Sequence, residues 1–175
     1  HGSIRRYVLN LTTPDPVLRE IFQDLRFRQA LSLAIDRDEI NDTLYFGLAV
    51  PRQHTTPSFT TFYEDWIGEY YAQYDPAAAN ALLDEMGLTR SSDGYRMRPD
   101  GQPLVVEVAD ATASGQLSEM VTSFWQDIGI RANLRTMTRD LFSERTLAND
   151  VEISVWFGDV VDEFNLRRMP EVILY

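Results

Sequence analysis

Between residues 18 and 34 apolar side chains recur every three or four positions, at Leu18, Ile21, Phe22, Leu25, Phe27, Ala30, Leu31 and Ala34. Such spacing puts one continuous stripe on the face of a helix that turns toward a core. The stripe gives way at Asp36, and a second helix is expected from Arg37 to Tyr45, ending near Gly47, the residue type that takes a left-handed cap most easily. The two helices would join with little or no loop. Ahead of them, "YVLNL" at 7–11 alternates as a short strand does, and "TTPDP" stops it.

Residues 48–75 hold prolines and aromatics without clean periodicity and read as a long surface segment with local turns. Helix grammar returns in "DPAAANALLDEMGL", with Asp75 as cap, Pro76 at the first helical position, apolar Ala79, Leu82, Leu83 and Met86, and Gly87 as the stop. Two Asp-Gly turns, at 93 and 100, flank a short strand before "LVVEVA", a hairpin feeding a buried strand. Next come a helix in "SEMVTSFWQDIGI" with Met120, Val121, Phe124, Trp125 and Ile128 on one face, a strand in "RANLRTM", a short helix in "RDLFSERTL" and a strand in "VEISVWFGD". Helix and strand alternate from residue 75 onward, so the fold class is α/β. No repeat and no low-complexity tract interrupts it.

Charge narrows the partners. Sixteen basic residues, all arginine, face 27 acids for a net charge of -11, which repels phosphate backbones and argues against nucleic acid. Without cysteine there is no disulfide, thiolate nucleophile or cysteine-based zinc site. No apolar run reaches the roughly 20 residues of a membrane helix. "HGS" at 1–3 looks like a cloning remnant, and residues 4–175 are expected to form a single α/β lobe, an excised part of something larger, with 160–175 poorly ordered.

Several clusters resemble sites. "DRDEIND" at 36–42 carries four carboxylates, but a calcium loop wants an oxygen ligand at its fifth position and glycine at its sixth, where Ile40 and Asn41 stand. Asp36 with Glu39 reads instead as a helix cap, and the arginines around it, Arg26, Arg28 and Arg37, as surface or locally paired. His54, in "PRQHTTP", has neither the ligand set of a metal site nor the partners of a triad and is expected to be exposed. Paired carboxylates for hydrolysis carry no specificity among 27 acids. "VWFGDVVDEF" at 155–164 differs, because in open α/β sheets ligands gather outside the carboxyl ends of strands. There Asp159 would receive an ammonium group through a charge-assisted hydrogen bond, with Trp156 packing on the apolar part of the solute. The competing reading makes Asp159 the start of a turn and Trp156 part of the core.

Three blocks in order carry a family resemblance. "FQDLRFRQALSLAIDRDEI" resembles the "F-x-D-x-R-x-R-Q-A-L-x-x-A-I-D-R" segment of the family 5 extracellular solute-binding proteins, the peptide and nickel receptors of ABC importers. "YDPAAANALLDEMGL" resembles their "Y-D-P-x-x-A-x-x-L-L-x-x-x-G" helix, and "PLVVEVAD" with "FWQDIGIRANL" their later strand, helix and strand. The resemblance implies a mixed sheet flanked by helices, the front of the C-terminal lobe of a type II periplasmic-binding-protein fold. It implies a nonenzymatic receptor, without a cofactor, that works outside the membrane, in the periplasm or anchored to the cell surface. Its partners would be a peptide or similar cationic solute, the ABC permease subunits and the N-terminal lobe of the same chain. In the family's peptide receptors a "G-W-x-x-D" motif ends the strand, and its Asp takes the peptide ammonium. Trp156 and Asp159 keep that spacing, while Val155 stands in place of the Gly. Asp162, three residues on, is a further acid of the same stretch. A hydrolase, or a nickel or haem receptor of the same family with His54 as its native histidine, is the alternative.

Overall fold

A computed structural model describes residues 4–55, 58, 60, 61, 63–113 and 115–158. Strand β1 (Ile4–Leu9) leads into helices α1 (Pro16–Gln23), α2 (Leu25–Leu33) and α3 (Arg37–Tyr45). A five-residue helix α4 (Asp65–Glu69) lies in the segment read as a surface loop, and α5 (Pro76–Glu85) follows. The alternating part is β2 (Val105–Asp110), α6 (Gly115–Asp127), β3 (Arg131–Thr136), α7 (Arg139–Leu147) and β4 (Ile153–Gly158).

The expected 18–34 helix is two helices, because the sequence holds a second cap inside the stripe. Asp24 leaves the helical region (φ -68°, ψ 122°), accepts the Arg26 amide at 2.9 Å and restarts the chain as α2. Leu25, which a continuous helix would bury, is therefore 54% exposed at the start of the new turn. Asp36 caps α3 by accepting the Glu39 amide at 2.8 Å. The left-handed exit of α3 begins one residue before the expected glycine, at Phe46 (φ 54°), with Gly47 (φ 72°) continuing it. Arg26 pairs with Asp24 as expected of a local pair. Arg37 departs from that expectation. Its guanidinium is turned inward onto the carbonyls of Ser32 (2.9 Å) and Ala72 (3.0 Å), and burial pulls it down to about 10.

The strands form one mixed sheet in the order β1-β4-β2-β3. β2 runs parallel to both β3 and β4, and β1 runs antiparallel to β4 in a register that sets Arg6 against Trp156 and Arg5 against Phe157. Side chains alternate across the sheet. Val106, Val108, Ile153 and Val155 enter the main core, which α1, α2, α3, α5 and α6 supply with Phe22, Phe27, Ile40, Leu83 and Trp125. The Trp125 indole donates to the Leu31 carbonyl at 3.0 Å and meets the Tyr7 ring edge-on, tying the helices to β1. On the opposite face Ala109, Val151 and Trp156 pack under Phe142 of α7. The two crossovers thus cover opposite faces, and α7 brings its first turn to the end of β4.

Candidate functional site

Because β2, β3 and β4 are parallel, their carboxyl ends share one edge of the sheet, at Asp110, Thr136 and Gly158. β2 ends in a closed polar knot. The buried Asp110 carboxylate accepts from the Thr112 amide (2.7 Å), the Thr112 hydroxyl (2.7 Å) and the Ser118 hydroxyl (2.6 Å), which fixes the turn into α6. The Tyr7 hydroxyl lies 3.3 Å from Ser118 Oγ, and burial pushes its phenol well above the ordinary range, so it stays protonated.

β4 ends differently, in aromatic and cationic groups. Trp156 is half-buried at the rim of the sheet, stacked on Phe142 with centroids 5.3 Å apart and meeting Phe157 edge-on at 5.9 Å. The Arg5 guanidinium lies 4.0 Å over the Phe157 ring, and that of Arg139 lies 5.8 Å from both ring centroids. Of the sequence-derived site residues, Trp156 lies at this carboxyl edge, and Asp159 and Asp162 lie outside the described residues. Trp156 is thus neither a fully enclosed core residue nor a free ring, since one face of its indole is covered by Phe142. The arginines escaped the sequence reading. The available signal was the Arg5-Arg6 pair that opens β1 and an arginine rather than an acid in the first position of α7.

A groove of about 1370 Å³ follows β1, from Arg5 and Arg6 at one end to Thr146 and Asn149 at the other. Tyr7, Arg37 and Trp125 contribute to its wall. A second cavity of about 520 Å³, lined by Gln53, His54, Trp66, Ile67 and Tyr70, shares Gln53, His54 and Ile67 with it. His54 is half-buried in these walls instead of exposed. Among the described residues no group of three or more His, Asp or Glu side chains could hold a metal, and no helix is long and apolar enough to cross a membrane.

Comparison with known proteins agrees with this architecture. Over 98% of its length the chain superimposes on part of the oligopeptide-binding protein OppA, with a TM-score of 0.91 and 41% identity, covering 27% of that chain. NikA from Brucella suis, solved with Fe(III)-EDTA, matches 89% of this chain and 30% of its own at a TM-score of 0.68 and 26% identity. The dipeptide-binding protein of Escherichia coli strain K12 is 27% identical over 151 residues, 85% of this chain. Haem-binding protein A of Haemophilus influenzae is 27% identical over 146 residues, 82% of this chain. The chain spans 27% and 25% of the lengths of these two relatives. Three of the four are named as binding proteins and the fourth was solved with a bound chelate, and the mixed sheet flanked by helices is the one the sequence resemblance implied. Residues 1–169 match the middle region of the bacterial extracellular solute-binding proteins, family 5, and the chain belongs to that family.

Proposed function

We propose that this chain is the front part of the C-terminal lobe of a receptor that captures a peptide or similar cationic solute outside the membrane and delivers it to the permease of an ABC importer. The parent would act in the periplasm or at the cell surface, would close this lobe and an N-terminal lobe over the solute, and would carry out no reaction of its own. The observation that carries the reading is Trp156 at the carboxyl end of β4, in the mixed sheet of this family, with an aspartate three positions later. Asp159 would receive the solute ammonium, Trp156 would pack on its apolar part, and Asp162 would add negative charge beside it. A carboxylate in that position favours a cation both by direct hydrogen bonding and by the net charge of -11, which concentrates cations around the protein.

Titrating the parent receptor with a peptide library, with and without Asp159→Asn, tests the assignment. The variant should lose affinity for peptides with a free amino terminus and leave N-acetylated peptides unaffected. Unchanged affinity for every amine would remove Asp159 from the role. The relatives named for haem binding and for Fe(III)-EDTA favour a tetrapyrrole or chelated metal as the second reading. Mass spectrometry of material that copurifies with the parent separates the two.

A further inference from the structure

The groove along β1 runs against the charge of the chain. Acids outnumber arginines 27 to 16 in the sequence, yet the described lining of this groove of about 1370 Å³ holds five arginines and neither Asp nor Glu. Three of the five, Arg28, Arg37 and Arg52, come from α2, from α3 and from the chain that follows α3, and none of them forms an ion pair among the described residues. Arg28 donates to the Phe22 carbonyl at 2.6 Å, Arg37 to the Ser32 and Ala72 carbonyls, and Arg52 to the Tyr63 hydroxyl at 3.0 Å. Such oxygens satisfy the donors but carry no charge, so this wall stays positive.

A strand edge forms another wall. Among the described strands β1 ends the sheet on one side, and residues 5–12 all line the groove. The Asn10 amide donates to the Glu152 carbonyl at 2.8 Å, and counting back through the antiparallel register turns Val8 and Arg6 toward β4 and the amides of Leu9, Tyr7 and Arg5 away from it. An edge of this kind accepts an added strand. The rim is apolar: Tyr45 and Val50 line the groove, Val50 is 74% exposed, and Phe46 and Leu48 are exposed between them. Exposed apolar side chains gathered in this way mark a surface that a partner covers.

We propose that the groove seats an extended segment of the parent chain from outside residues 1–175, which adds a strand to β1, lays apolar side chains against Tyr45 and Val50, and sets acids against Arg28, Arg37 and Arg52. The parent can supply that occupant, since 98% of this chain superimposes on a piece amounting to 27% of OppA. Charge selects the segment, because a basic one would meet five arginines and an acidic one complements them. A second copy of the chain is disfavoured as the occupant, because its net charge of -11 repels an equal charge. The inference goes beyond the receptor reading, and no step of it depends on the solute.

The test uses the parent receptor with no solute added. With Val50 replaced by the photoreactive benzoylphenylalanine, irradiation should join the groove to a segment of the same molecule outside residues 1–175, and mass spectrometry of the joined peptide should find more acids than bases in it. Arg28→Gln and Arg52→Gln should each at least about halve the yield at low salt, whereas Arg135→Gln, outside the groove, should leave it unchanged. Amide exchange at single-residue resolution needs no substitution: Tyr7 and Leu9 should be as protected as Val8. Joining between two molecules, a joined segment without an acidic excess, a yield indifferent to both arginines in variants with native circular dichroism, or exchange of Tyr7 and Leu9 far faster than of Val8 would each overturn the proposal. None of these readouts involves a solute, so failure of the peptide titration and failure of this test are separate results.

Discussion

Arg96 is the most enclosed charge in the described region, and replacing it by methionine separates two accounts of what it does. The side chain is fully buried, yet its carboxylate partner Asp84 is 67% exposed. Its Nε donates to the Ile128 carbonyl at 2.9 Å, Nη1 to the Leu88 carbonyl at 2.5 Å and to Asp84 Oδ1 at 2.6 Å, and Nη2 to Asn80 Oδ1 at 2.7 Å. Methionine keeps the apolar stem and removes every donor. Asp84 then returns to water, so the lost ion pair should cost no more than about 1 kcal/mol. The Leu88 and Ile128 carbonyls belong to fully buried residues and lose an enclosed donor, at roughly 1–3 kcal/mol each. Taking the low end for each carbonyl, the sum is about 3 kcal/mol, and for a chain of 175 residues each kcal/mol moves the midpoint by about 2–4 °C, so calorimetry should show a fall of at least about 6–12 °C. Asp84→Ala, which removes only the exposed partner, should shift it by less than about 4 °C. If the two variants fall equally, the ion pair and not the carbonyl network holds this corner, and the reasoning fails.

Three further outcomes are expected. Asp36→Ala removes the acceptor of the Glu39 amide and should lower stability by about 1 kcal/mol in urea unfolding, with no change in m-value. Trp125→Phe leaves the Leu31 carbonyl without its indole donor and opens a small void, and should cost about 2 kcal/mol by the same assay. Acid sensitivity should divide between two carboxyls. Arg98 beside Asp15 holds that carboxyl below its ordinary 3.8, so its contribution is present at neutral pH and is lost as pH falls through the folded value. Burial raises Glu152 above 4.5, so its contribution is present in acid and lost as pH rises. Glu152→Gln keeps an acceptor for the Glu107 amide and should be more stable than the parent chain at pH 7 but not at pH 3, while Asp15→Asn should flatten the acid limb.

The elements easiest to read were those whose caps and periodicity agree. α5 begins after Asp75 with proline at its first position and turns out through Gly87 (φ 76°), and α7 occupies the nine residues its pattern marked. The break between α1 and α2 was harder, because the apolar spacing runs straight across it. Only the Asp24 carboxylate bonding to the Arg26 amide distinguishes one long helix from two short ones. Strand limits shifted for a related reason. β1 runs from Ile4 to Leu9 and not from 7 to 11, since its length is set by pairing with β4, and pairing partners 150 residues apart leave no local trace. The inward turn of Arg37 was equally hidden, because the carbonyls it serves come from Ser32 on one side and from Ala72 across the fold.

The candidate site was legible only along one strand. Trp156 and Asp159 are neighbours in sequence, so a motif can carry them, but Arg6 and Arg139 reach Trp156 through topology alone. Antiparallel pairing of β1 with β4 delivers Arg6 to the indole, and the α7 crossover delivers Arg139 from the same side of the sheet. The order β1-β4-β2-β3 builds this junction: with β4 inside the sheet and β1 beside it, the end of β4 has a cationic strand start on one flank and a helix start on the other.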